Sequence, residues 1–154
     1  MKITWFGGRT LRIHIGGSIL VTDPPDDAGE IVSGADLLFR LDDPSMRVVE
    51  SWRPRREVRL VDEPDSTSVD LVRIGGAVLV DAMGEPPLLL GPPPPAPGRW
   101  ASDAVVVLFA PTTPPPVRLI VLALDDVDAA IARIAPALED TGLVALERGM
   151  ALEV

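Results

Sequence analysis

Residues 1–24 read MKITWFGGRTLRIHIGGSILVTDP and decide the fold, because glycine pairs separate three short stretches with a strand-like pattern. Lys2–Phe6 and Thr10–Ile15 alternate polar with apolar side chains, which is the period of a strand buried on one face. Gly16-Gly17 supplies the positive φ angles of a tight hairpin, and Ile19–Thr22 returns as the third strand. The chain therefore opens as an antiparallel sheet.

Most of the remaining chain also has strand patterns. Gly75-Gly76 lies between apolar runs as Gly16-Gly17 does, which indicates either two similar β-rich halves or a chance recurrence of a common hairpin turn. Ala35–Leu41 is a further apolar strand candidate, and other segments alternate or are continuously apolar. These additional predicted strands are Glu57–Val61, Asp103–Phe109, Arg118–Leu124, Leu143–Leu146 and Met150–Val154.

One helix is predicted, with Asp125 or Asp126 as its N-terminal cap and Gly142 at its end. Pro136 lies inside the pattern and is expected to bend the helix near Ala132, because proline removes a backbone donor. Apolar residues at i, i+4, i+7 and i+11 predict its buried face, which consists of Val127, Ile131, Ile134 and Leu138.

Eleven of the seventeen prolines lie between Pro86 and Pro116, in the runs PPLLLGPPPPAPG and PTTPPP. Proline fixes φ and lacks an amide donor, so we predict loops of polyproline II character in both runs. The stretch Pro92–Pro97 also permits an adaptor role, in which the prolines dock into an aromatic groove of a partner.

Composition restricts the class of protein. A length of 154 residues predicts one domain, and an apolar fraction of 47% predicts a well-filled core. The net charge of −9 disfavours nucleic acid as a partner, and no apolar run is long enough to cross a membrane. The absence of cysteine and of a visible signal peptide predicts a cytoplasmic protein.

The opening resembles the start of metallo-β-lactamase-fold hydrolases, especially their lactonase-like branch. The resemblance is carried by Trp5, Gly7, Gly16-Gly17, Asp23-Pro24 and the later Ala35-Asp36 pair. It implies a β-sandwich made of two β-rich halves with flanking helices, here reduced in size. We therefore predict a strand-rich α/β (α+β) fold, with residues 1–154 forming one metallo-β-lactamase-like domain.

The same resemblance implies that the family's metal ligands are missing, since its hydrolases hold two metals with about five histidines and this chain has one histidine. Gly8 stands where the resembled sequences carry histidine. In the histidine-rich motif after the Ala-Asp pair, Asp42 and Pro44 replace the first two histidines, Met46 the aspartate and Arg47 the last histidine. At the two later ligand positions, the resemblance places Met83 for an aspartate and Glu147-Arg148 near the strand-end histidine.

Three kinds of candidate site follow from the residues. The resembled fold implies that Asp23, Asp26, Asp27, Asp42 and Asp43, which follow strand ends, converge at one sheet edge. The candidate metal set Asp23, Asp42 and Asp81 suits Mg²⁺, Ca²⁺ or Mn²⁺, although such residues more often serve turns. His14 shares a strand face with Arg12 and is interpreted as a surface histidine. An arginine patch is either a solvated face or a site for an anion or an acidic partner, and it consists of Arg47, Arg53, Arg55, Arg56 and Arg59.

We therefore predict a non-catalytic protein without a cofactor that binds an unidentified protein or small molecule through the remodelled cleft or the arginine patch. A homodimer is an open alternative for a chain this apolar. The competing hypothesis is a metal-dependent hydrolase with an altered, carboxylate-based site.

Overall fold

The structure is a computed structural model that describes residues 1–54, 69–138 and 140–154. Within these ranges the chain forms twelve strands in two sheets, two short α-helices and two 3₁₀ turns. The strand-rich α+β class predicted from the sequence is confirmed. The predicted strand Glu57–Val61 lies outside the described residues.

The first sheet has five strands in the order β12-β1-β2-β3-β4. The first three strands form an antiparallel meander, and β4 then adds to β3 in parallel. Gly16 and Gly17 have φ angles of 55° and 80°, as the predicted hairpin requires. The strands are β1 (Lys2–Gly7), β2 (Thr10–Ile15), β3 (Ser18–Thr22), β4 (Leu37–Phe39) and β12 (Ala151–Glu153), and α1 (Gly29–Val32) connects β3 to β4.

The second sheet has seven strands in the order β11-β10-β9-β8-β7-β6-β5. Its β6-β7 hairpin turns at Gly75-Gly76, so the two glycine hairpins lie in different sheets. Strands β8 to β11 run parallel to one another. The strands are β5 (Val48–Val49), β6 (Asp70–Ile74), β7 (Ala77–Asp81), β8 (Leu88–Leu90), β9 (Val105–Leu108), β10 (Leu119–Leu122) and β11 (Gly142–Ala145).

The two sheets pack face to face over an aliphatic core. Ile13 and Leu20 of the first sheet belong to the same buried cluster as Leu88 and Val105 of the second. The opposite face of the second sheet is also buried, because Val106 packs in a second cluster together with helix and 3₁₀ residues. Strands that are buried on both faces have continuous apolar runs instead of alternation, as β8 and β9 do.

The helix α2 (Val127–Ile134) confirms Asp126 as the cap, since its side chain accepts a hydrogen bond from the Ala129 amide at 3.2 Å. The predicted extension to Gly142 is wrong. The α-helix ends at Ile134, and Pro136 lies in a 3₁₀ turn that follows it. Proline cannot donate the next helical hydrogen bond, so it ends the α-helix instead of bending it. Gly142 begins β11.

The first proline run contains a strand, although a loop was predicted for the whole run. Leu88–Leu90 forms β8, a fully buried strand between β7 and β9. Pro86-Pro87 ends just before it and Pro92 follows just after it, so all three leucines keep their amide donors. The prolines therefore bound the central strand without interrupting its ladder.

Candidate functional site

The turn between β1 and β2 places Arg9 at one edge of the sandwich. Gly7 and Gly8 have φ angles of 107° and 53°, which are conformations that favour glycine. The indole Nε1 of Trp5 donates a hydrogen bond to the Gly8 carbonyl at 3.1 Å and fixes the turn. The short sequence Gly-Gly-Arg therefore holds an arginine next to the ends of β3 and β4.

Asp23 follows β3 at the same edge and has an unusual backbone. Its φ is 38°, and it is the one non-glycine residue with a positive φ in the described ranges. Two hydrogen bonds hold this conformation: the Thr10 hydroxyl donates to the Asp23 carbonyl at 2.8 Å, and the Asp23 amide donates to the Phe39 carbonyl at 2.9 Å. Backbone strain at such a position persists only where the surroundings fix it.

Arg9 bridges two of the three carboxylates predicted as a metal set. Its Nε lies 3.1 Å from Oδ2 of Asp23, and its Nη2 lies 3.3 Å from Oδ2 of Asp42. Arg40 approaches the same two side chains, with its Nε 3.4 Å from Oδ1 of Asp42 and 3.9 Å from Oδ1 of Asp23. We call these four residues, Arg9, Asp23, Arg40 and Asp42, the arginine-bridged edge.

Burial differs sharply between the two carboxylates of this edge. The Asp23 side chain is 11% exposed, whereas that of Asp42 is 59% exposed. Both Asp23 oxygens are buried, and within the described residues neither has a hydrogen bond of good geometry. The contact between Arg9 and Asp23 is therefore an ion pair without an aligned hydrogen bond. The positive charge of the guanidinium compensates the buried negative charge of Asp23.

The carboxylates after β4 are held in their ionised form. Desolvation raises the pKa of Asp42, but the hydrogen bond and charge of Arg9, with a further hydrogen bond from Arg40, bring that pKa below its usual value. Hydrogen bonds from the Ser45 hydroxyl and amide lower the pKa of Asp43, and the charge of Arg73 adds to this. The loop thus stays anionic and stays bound to arginine.

Asp81, the third predicted carboxylate, lies at another edge. Asp42 shares a cavity with Gly76, which immediately precedes β7, while Asp81 ends β7 about 16 Å further along the strand. Asp81 lines a separate cavity of about 560 Å³ together with Trp52 and Trp100. No group of three or more His, Cys, Asp or Glu side chains in the described ranges is placed to hold a metal ion.

Met83 lines the same separate cavity as Asp81. The resemblance placed Met83 with the Asp42 loop in one site, and the structure does not bring them together. At the Asp42 cavity the strand followed by a glycine turn is β8, with Gly91 and Pro92. The sequence alone could not show that the end of β8, and not the end of β7, lies beside Asp42, because Leu88–Leu90 was predicted as a loop.

Arg148 occupies the other side of the β1-β2 turn. Its guanidinium lies over the Trp5 ring, 5.4 Å from the centroid, and its Nη2 donates to Oδ1 of Asp125 at 2.7 Å. A Cβ on Gly7 would lie 3.2 Å from Cζ of Arg148, so this side chain packs directly on the turn. Arg148 thus packs on the turn directly after Glu147, the residue that the resemblance aligns with the strand-end histidine.

The predicted arginine patch is described in part. Arg47 forms an ion pair with Asp70 at 2.8 Å, and the Arg53 residue is exposed. Arg55, Arg56 and Arg59 lie outside the described residues. The arginines of the bridged edge, Arg9 and Arg40, were not predicted as site residues. For Arg9 a signal was present in the sequence, because it directly follows Gly8, which stands where the resembled sequences carry histidine.

His14 lies on the outer face of the five-stranded sheet, as predicted. It is paired with Lys2 across the β1-β2 ladder, and Arg12 is its neighbour on the same face. Burial lowers the pKa of His14, and the charges of Arg12 and Lys2 lower it further. Its ring is therefore neutral near neutral pH.

No protein-family model matches the chain, and neither a curated protein nor a solved structure matches it. The metallo-β-lactamase resemblance therefore stays a prediction. In the described part of the chain, no helix has both the length and the apolar character needed to cross a membrane.

Proposed function

We propose that this chain is a non-catalytic binding protein built on a metallo-β-lactamase-like frame whose metal cleft has been replaced by arginine–aspartate pairs. The observation that carries the proposal is the position of Arg9, which contacts Asp23 and Asp42 at 3.1 and 3.3 Å. A guanidinium is charged at every physiological pH and satisfies carboxylates in two directions. The Arg9 guanidinium occupies the carboxylate oxygens of Asp23 and Asp42 that a metal ion would need as ligands.

The competing hypothesis, a hydrolase with a carboxylate-held metal, needs Asp23 and Asp42 to exchange guanidinium groups for a divalent cation. Asp23 is buried, so the cation would have to displace Arg9 and Arg40 and leave them without their carboxylate partners at this edge. Hard cations also prefer six or more oxygen ligands, and Asp81 lies at another edge. These costs favour the binding role.

A small molecule is the partner that this edge supports best, because a cavity of about 260 Å³ opens beside Asp42. The cytoplasm is the proposed compartment, since a chain with no cysteine suits a reducing environment. A protein partner or a second copy of the chain remains the alternative to a small molecule.

Thermal unfolding with added Mg²⁺, Mn²⁺ or Zn²⁺ tests the proposal. A metal held specifically and present at about one hundred times its Kd would raise the Tm by roughly 5–10 °C in a chain of this size. We expect no such rise for the native chain. The control is Arg99→Ala, which removes an exposed arginine that begins the 3₁₀ turn Arg99–Asp103. A saturable rise that Asp42→Asn abolishes would instead show a carboxylate-held metal, which the hydrolase hypothesis requires, and would overturn the proposal.

A further inference from the structure

The cavity beside Asp42 combines an apolar wall with arginine. Its volume is about 260 Å³, below the roughly 300–1,000 Å³ of pockets for drug-sized ligands, so it suits a smaller molecule. Leu41, Leu90, Leu108 and Phe109 supply the apolar part of its lining. We call this space the Arg73 cavity, after the half-buried arginine of β6 on its wall.

Arg73 is held in place by main-chain oxygens. Its Nη2 donates to the Leu41 carbonyl at 2.7 Å and more weakly to the Asp43 carbonyl at 3.3 Å. No carboxylate in the described ranges forms an ion pair with it. The two carbonyls orient the guanidinium without cancelling its charge, and its remaining N–H groups keep donor capacity.

The other charges on the wall do not cancel this cation. Asp42 lines the Arg73 cavity, but its carboxylate accepts from Arg9 and Arg40 and is neutralised by them. Arg9 lines the cavity as well. Arg9 is itself paired with Asp23 and Asp42, and the charge of Arg73 also acts on the exposed Asp43 carboxylate. Arg73 is therefore the guanidinium on this wall that forms no ion pair in the described ranges and can attract an anion.

We propose that the Arg73 cavity binds a small organic carboxylate with a short apolar body. A carboxylate matches the planar fork of a guanidinium, and the leucine and phenylalanine side chains accept the apolar part. Thr112 lines the mouth and offers a hydroxyl to the second carboxylate oxygen or to another polar group. This assignment rests on the proposed binding function and gives it a ligand class.

Binding of hexanoate and of its neutral analogue hexanamide to the full chain, followed by amide chemical shifts, tests the assignment. We expect hexanoate to bind at least about tenfold more tightly than hexanamide, because a charged hydrogen bond is lost in the amide. The shifts should be largest at Gly76, Gly91 and Thr112, which line the cavity. Equal affinities, or no binding of hexanoate, would overturn the assignment.

Three variants locate the effect. Arg73→Met keeps the apolar stem and removes the charge, and should weaken hexanoate at least about tenfold while leaving hexanamide unchanged. Arg73→Lys keeps the charge but lacks the planar fork of the guanidinium, so its hexanoate affinity should lie between those of the native chain and Arg73→Met. It also tests the proposal if the methionine variant folds poorly. The matched control Arg99→Met should bind like the native chain. Hexanoate affinity that Arg73→Met leaves unchanged would contradict the proposal.

The two proposals fail in different ways. Carboxylate binding can be absent while metals also fail to raise the Tm, in which case the non-catalytic role stands and the ligand class is wrong. A metal-dependent rise in Tm that requires Asp42 would overturn the proposed function, whatever hexanoate does.

Discussion

The core between the two sheets is almost wholly aliphatic, whereas the arginine-bridged edge is held by ion pairs. In the core, Ile13, Leu20 and Leu88 are fully buried, and apolar side chains of similar volume can replace such residues at little cost in stability. At the edge, the buried Asp23 carboxylate needs a partner of opposite charge, which Arg9 supplies. The core therefore determines whether the chain folds, while the edge determines what the cleft can bind.

The largest effect is expected in the core. Leu88→Ala should lower the free energy of unfolding by about 2–5 kcal/mol, because it opens a cavity at a fully buried side chain of β8. Leu38→Ala is the matched control, since Leu38 is 51% exposed and should change stability by about 0.5 kcal/mol or less. Urea unfolding measures both. Equal, small losses would mean that β8 is not a central strand.

A smaller effect is expected from the charge at the edge. Asp23→Asn keeps the shape and tolerates a positive φ, so it removes the charge without straining the backbone, and it puts an amide NH₂ in place of one carboxylate oxygen. Arg9 is 43% exposed and solvent screens its pair with Asp23, so we expect a loss of about 1–2 kcal/mol, between a surface pair and a buried one.

A double-mutant cycle with Arg9→Ala separates this pair from its surroundings. The two substitutions should be clearly non-additive in urea unfolding, because each removes the same interaction. If the two losses in the free energy of unfolding were strictly additive, Arg9 would not stabilise Asp23. The edge would then not be held by ion pairs, in contradiction to its contrast with the core.

The smallest effect is expected from His14, on the outer sheet face and away from both regions. Its pKa is lower in the folded chain than in the unfolded chain, so the unfolded chain takes up a proton first as the pH falls. Stability from this group is complete above pH 6.5 and is lost on acidification toward the folded pKa. His14→Gln should therefore flatten the decline in Tm between neutral pH and mildly acidic pH. An unchanged profile would contradict the pKa direction.

The same contrast explains what could be predicted from the sequence. The β2-β3 hairpin and the helix cap depend on neighbouring residues; the hairpin was predicted correctly, and of the two predicted caps, Asp125 or Asp126, the structure has Asp126. The strand β8 was missed because its flanking prolines dominate the local pattern. Arg9 could not be paired from the sequence, because its partners lie 14 and 33 residues away and meet it only once both sheet strands are formed.

The carboxylates of the candidate site were partly predictable for the same reason. Asp23 and Asp42 follow strands that are parallel neighbours, so their meeting at one edge followed from topology. Asp81 is the last residue of β7 in the other sheet, and the direction of β7 depends on a hairpin. Strand direction is a long-range property, and no local pattern around Asp81 fixes it.

The most direct test of the central claim is paramagnetic broadening by Mn²⁺ in the amide spectrum of the native chain. Arg9 and Arg40 neutralise the carboxylates of the edge, so equimolar Mn²⁺ should broaden exposed acidic segments weakly and without preference for Asp23 and Asp42. Selective and stoichiometric loss of the Asp23 and Asp42 amide signals would show that a metal displaces the guanidinium groups, and would contradict the account.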